Sequence, residues 1–155
     1  MRWVDGSEID LKQFSGKEIC EKLSMEMWNS YYEQWIKCAE FLQNAIFIVD
    51  FDSLATGGFT TPSFVNFIDE YYWQIIKAFR AIGDKKDAEI LTELSRLDTH
   101  YQKLLGSAKD DDEWDKIYDE FREKIDALEK KLYLNTDFDM WALLYKYLDE
   151  QISKL

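Results

Sequence analysis

The stretch FIVDFDSLATGGFTTPSFVNFIDEYYWQIIKAFRAIG, residues 47–83, decides the fold. Its apolar residues recur at helical spacing on both sides of one interruption. Upstream, Tyr32, Trp35, Ile36, Ala39, Leu42, Ile46 and Val49 share one helical face, which predicts a single long helix. That helix stops before Gly57-Gly58, because adjacent glycines are costly inside a helix and favour left-handed turns. Thr61-Pro62 predicts a restart, with Thr as N-cap and Pro at the first helical position, where a missing N–H costs nothing. Phe64, Phe67, Ile68, Tyr71, Ile75, Phe79 and Ile82 then mark a helix ending at Gly83, and its wide apolar face predicts a central place in the core.

Working outward, Ser15-Gly16-Lys17-Glu18 has the form of a capping box and predicts a first helix running to about Trp28; Ser30-Tyr31-Tyr32-Glu33 repeats the signal for the second. After Asp84, Ile90, Leu91, Leu94, Leu97, Tyr101 and Leu104 predict a fourth helix, with Gly106 as its left-handed C-cap. Trp114, Ile117, Phe121, Ile125, Leu128 and Leu132 form the inner face of a fifth. Thr136-Asp137 should cap a last helix carrying Phe138, Trp141, Tyr145, Leu148, Ile152 and Leu155. This spacing reads first as a terminal helix docked on the core, and otherwise as the seam of a homodimer. No segment has strand periodicity. The expected fold is all-α, a single compact domain of about six helices spanning residues 1–155.

A chain of 155 residues suits one core, and 46% hydrophobic and 16% aromatic residues, six of them Trp, exclude intrinsic disorder. Against 19 basic residues stand 31 acidic ones, for a formal charge of −12. Such a field argues against direct binding of nucleic acid or an anionic membrane. Cys20 and Cys38 are too few and too far apart for a disulfide framework or a paired-cysteine zinc site, so reduced, buried thiols are expected. The start MRWVDGSEID lacks a basic region followed by an apolar run, and the longest apolar stretch, Ala45 to Val49, is far too short to span a membrane. These features predict a cytoplasmic protein.

Catalytic signatures are scarce. His100 is the only histidine and reads as a partly buried structural residue near the apolar stripe of the fourth helix. Gly57-Gly58 is followed by FTTP rather than by the Gly-Lys-Ser/Thr of a phosphate loop, and no Gly-x-Ser-x-Gly elbow occurs. One enzymatic alternative is a magnesium-dependent phosphohydrolase, with Glu18/Glu21 and Glu120/Glu123/Asp126 at a spacing that lets carboxylates share a hard cation. Otherwise no enzyme, cofactor or metal is expected.

The acidity is concentrated. Between Asp110 and Glu129 lie ten acids against Lys116, Arg122 and Lys124. Asp112, Asp115, Asp119, Glu123 and Asp126 step by three, four, four and three, and so share the helical face opposite the apolar residues. Like charges at i,i+4 cost a helix a few tenths of a kcal/mol per pair. Steps of three and four place them about 4.5–6 Å apart along the axis, comparable to phosphates along one DNA strand. The competing reading of this row is a solvated face that serves solubility.

The segment FIVDFDSLATGGFTTPSFVNFIDEYYWQIIKAFRAIGDKKDAEIL resembles the bacterial nineteen-kilodalton DNA-mimic protein family. Gly57, Gly58 and Phe59 match its turn, and Ile82, Gly83, Ala88, Ile90 and Leu91 match its Ile-Gly-x4-Ala-x-Ile-Leu segment, the likeness running from about Trp28 to Leu97. Thr56 stands where the family has Asn, and FTTPSF replaces its Phe-x-Gln-Tyr-Phe. The resemblance implies an all-α dimer whose surface carboxylates imitate duplex phosphates and occupy the DNA-binding face of a helix-turn-helix transcription regulator. Joined to the charge row, it gives the leading expectation: a DNA mimic, homodimeric, binding a basic DNA-binding protein through Asp112, Asp115, Asp119, Glu123 and Asp126. The alternative from another class is a generic interaction or immunity-type domain that binds through aromatic surface.

Overall fold

The computed structural model describes residues 1–65 and 70–155. Among them the architecture is all-α, with six helices of eleven residues or more: α1 (Gly16–Glu26), α3 (Glu40–Thr56), α5 (Tyr71–Ala81), α6 (Lys85–Gly106), α7 (Asp111–Glu129) and α8 (Met140–Ile152). Two single-turn helices, α2 (Tyr32–Trp35) and α4 (Pro62–Val65), sit in the connections. α3 is central, contacting α1, α5 and α8, while α6 lies between α5 and α7. From Leu42 to Phe51 only Gln43 escapes burial on α3, so that helix is apolar nearly all round. Phe47 and Phe51 meet Tyr71 and Phe79 of α5 edge-to-face, at 5.5 and 5.6 Å.

Ser15 forms the expected capping box, its hydroxyl accepting from Glu18 N at 3.2 Å while the Glu18 carboxylate accepts from Ser15 N at 2.7 Å. Gly58 and Gly83 take φ of +88° and +89°, the left-handed turns that end α3 and α5. α8 docks on α1. At their crossing Gly16 leaves no room for a side chain, since a Cβ there would come 2.3 Å from Tyr145 O, and Gly16 N donates to Asp149 Oδ1 at 2.6 Å. The terminal-helix reading of α8 therefore holds, with Met140, Leu144, Leu148 and Ile152 buried.

Several local expectations are corrected. The second helix is broken: Ser30 does not cap it, because its hydroxyl donates to Met27 O and receives Trp35 Nε1. The chain turns extended at Ala39, and Gln43 Nε2 donates to Ile36 O and Cys38 O, satisfying carbonyls that a continuous helix would have used; Ile36 is left exposed. α4 begins at Pro62 as expected, but Thr61 Oγ1 has no hydrogen-bond partner among the described residues. Asp98 of α6 takes over, accepting from Ser63 N at 3.1 Å and Ser63 Oγ at 2.7 Å. Of the face expected for the following helix, Phe67 and Ile68 lie outside the described residues, as does the side chain of Phe64. Gly106 is the last helical residue of α6 with Ser107 as cap, and its φ is not positive. Asp139, not Thr136-Asp137, caps α8 by accepting from Ala142 N, and Phe138 and Leu155 are exposed outside that helix.

Residues 1–14 contribute to the core in a way their sequence did not announce. Trp3, Val4 and Leu11 are buried, and Trp3 Nε1 donates to Glu26 Oε2 at 2.6 Å, tying the N-terminal segment to the end of α1. Cys20 and Cys38 are free and buried, and burial pushes the Cys20 thiol up to about 12, which makes it a packing residue.

Candidate functional site

α7 begins with acids that have structural work. Asp110 Oδ1 accepts from Glu113 N at 2.8 Å, and Glu113 Oε2 accepts from Lys109 N at 2.9 Å, a reciprocal cap at the positive end of the helix dipole. The inner face seats on α6: Phe121 stacks on Tyr101 at 5.2 Å, Ile125 is buried, and Ile117 and Leu128 pack half-buried beside them. With that side fixed, the 3.6-residue period leaves Asp112, Asp115, Asp119, Glu123 and Asp126 all exposed on the far side.

Their surroundings differ. Asp126 Oδ1 is held by Arg122 at 2.7 Å, and neighbouring Glu120 pairs with Lys124 at 3.7 Å, whose ammonium also lies 5.5 Å from the Tyr101 ring centroid. Among the described residues, Asp112, Asp115, Asp119 and Glu123 make no hydrogen bond or ion pair. The row is thus four bare carboxylates ending in one neutralised by its own helix. Trp114, expected inside, is 41% exposed and stacks on Tyr118 at 5.1 Å; Leu104 across the hairpin is exposed too. This end of the α6–α7 hairpin projects beyond the core, so helical periodicity alone could not bury it.

Most carboxylates of the magnesium alternative already have partners within the chain. Glu18 is occupied by its capping box, Glu21 lies 4.0 Å from Lys17, and Glu120 and Asp126 are paired as above. Among the described residues, no group of three or more His, Cys, Asp or Glu is placed to hold a metal ion. His100 is exposed rather than partly buried, edge-on to Tyr101 at 5.1 Å. Its position on the rim of the α6 stripe points it to water.

Two acidic features carried no signal in the sequence. Asp84 and Asp87 are both buried at the start of α6, where Asp84 Oδ1 accepts from Asp87 N and Asp87 Oδ1 accepts from Tyr133 N at 3.0 Å. Burial, then the hydrogen bond with Asp84 and its charge, push the Asp87 carboxyl up to about 8. The second is Asp52, half-buried in a groove lined by Trp28 and Trp141, where burial raises its carboxyl above the ordinary range while the Tyr133 hydroxyl, donating at 2.7 Å, opposes that shift.

The family model described as DMP19-like protein matches residues 38–151, well over half of the chain. The chain belongs to the DMP19-like family. No curated protein and no solved structure matches it. The family match extends past the turn and the Ile-Gly segment to take in all of α7, the row included, and stops short of Trp28. At family level it supports DNA mimicry, a role of binding rather than catalysis. No helix among the described residues is long and apolar enough to cross a membrane.

Proposed function

We propose that this protein is a cytoplasmic DNA mimic that works as a homodimer and occupies the DNA-binding face of a basic DNA-binding protein, a helix-turn-helix regulator being the type its family suggests. The contact row is Asp112, Asp115, Asp119, Glu123 and Asp126. One observation carries the reading: successive bare carboxylates on one exposed helical face, inside the matched family region, without internal cations to neutralise the first four. Duplex DNA bears one charge per roughly 1.7 Å of axis, so a net charge of −12 equals that of about 20 Å of duplex. The same field repels nucleic acid and anionic membrane.

The test is a titration against purified helix-turn-helix domains, with duplex DNA as competitor. Affinity should fall steeply with salt, and Asp115→Asn, Asp119→Asn and Glu123→Gln together should abolish it. Binding that survives all three changes removes the row from the interface. A second reading is favoured by Met25, Trp28 and Tyr31, which are 72%, 48% and 77% exposed within one short segment. There the protein binds through aromatic surface, and affinity would be nearly independent of salt.

A further inference from the structure

The groove beside the end of α1 brings two tryptophans together with a half-buried carboxylate. Trp28 and Trp141 line it, with Val49, Asp52 and Thr56 along α3, and it encloses about 420 Å³. Both indoles are held: Trp28 Nε1 donates to Ser24 O at 2.7 Å, and Trp141 lies tilted against Tyr145 at 6.2 Å. Asp52 receives the Tyr133 hydroxyl and has no ion pair among the described residues. It sits in the last turns of α3, which ends at Thr56 with no basic residue in its final turn, so the negative end of the helix dipole adds to its charge.

A carboxylate that is half-desolvated and placed at the negative end of a helix is left short of a cation. Tryptophan faces attract cations, a carboxylate gives a planar guanidinium two acceptors, and the same indole faces offer apolar cover for an aliphatic stem. Arginine matches all three better than lysine, because its planar group stacks and forks where an ammonium does neither. We propose that this groove takes one arginine side chain from the protein's basic partner.

The identity of the partner rests on the DNA-mimic reading; the chemistry of the groove does not. DNA-binding faces carry arginines aimed at phosphates, which a mimic's groove can receive. Thr60, just past the end of α3, donates to Glu129 at 2.7 Å, near the Asp126 end of the row. That hydrogen bond ties the segment after α3 to the last turn of α7. The row supplies a long-range field, and the groove supplies a single anchoring point.

The test follows the indole N–H signals of Trp28 and Trp141 by NMR during titration with a capped Gly-Gly-Arg-Gly-Gly peptide and its lysine counterpart. Saturable shifts at both indoles are expected, with arginine several-fold tighter than lysine. Asp52→Asn, which keeps an acceptor for Tyr133, and Trp28→Ala should each weaken the arginine peptide roughly tenfold. The Asp115→Asn, Asp119→Asn, Glu123→Gln variant should leave these shifts in place. Shifts indifferent to Asp52→Asn overturn the proposal, as does their loss in the α7 variant, which would make them a diffuse effect of charge. Indole shifts that depend on protein concentration without peptide also overturn it, by showing that a second copy covers the groove. Failure of the DNA-mimic reading registers in the regulator titration and not in these indole signals, so the two are told apart.

Discussion

On α7, Asp112, Asp115, Asp119 and Glu123 stand in water without a partner among the described residues, whereas Asp87, Asp98 and Asp149 each accept a backbone N–H from a distant part of the chain. Asp87 holds Tyr133 N at 3.0 Å, Asp98 holds Ser63 N at 3.1 Å and Asp149 holds Gly16 N at 2.6 Å. The side chains are alike and the roles opposite. A carboxylate that finds a buried donor becomes part of the fold, since an unpaired buried donor costs more than a typical hydrogen bond gains. A carboxylate repeated along a bare face adds only repulsion to the folded state.

Breaking the structural set should have the largest effect. Asp87→Ala strands Tyr133 N in the interior and should cost about 1–3 kcal/mol, measured by urea denaturation. The same site sets a pH dependence. Its folded pKa, near 8, lies above the ordinary 3.8, so its stabilising contribution is complete below about pH 4 and lost as pH rises through about 8. Asp50, pushed up to about 6 by burial, has the same sign and is ionised by neutral pH, so the decline that continues from about pH 7 to about pH 8 belongs to Asp87. Asp87→Asn should flatten that decline; an unchanged slope would show that the proton is not held there.

Asp149 is exposed, so water can replace part of what it offers, and Asp149→Ala should lower stability by about 1 kcal/mol. Loss of α8 protection in hydrogen exchange would locate the effect at the α1–α8 crossing. The smallest change is expected where the charge is densest. Asp115→Asn, Asp119→Asn and Glu123→Gln together should alter stability by only a few tenths of a kcal/mol, upward as i,i+4 repulsion is relieved. A marked loss of stability in that variant would show the row to be part of the fold and erase the contrast.

Much of this was legible in the sequence where the signal is local. The Ser15 box, the turns at Gly58 and Gly83 and the start of α4 at Pro62 depend on a few adjacent residues, and the exposure of the α7 row follows from one helical period. Signals open to competition failed. The Ser30 hydroxyl was diverted to Met27 O and Trp35, and the Thr61 cap was displaced by Asp98, 37 positions along the chain. Trp114 obeyed its periodicity but lay beyond the end of the core. The Trp28–Trp141 groove had no local signal at all, because its walls come from the end of α1 and the start of α8.

The sequence by itself determined an all-α fold with six long helices, the turns between several of them, and an acidic face on α7, because periodicity, glycine and charge act within a few residues. Only the tertiary structure decided which acids are buried and which are bare, where a tryptophan groove forms around Asp52, and that residues 1–14 join the core. Burial and pairing depend on what another helix brings alongside, and no window of neighbouring residues contains that information.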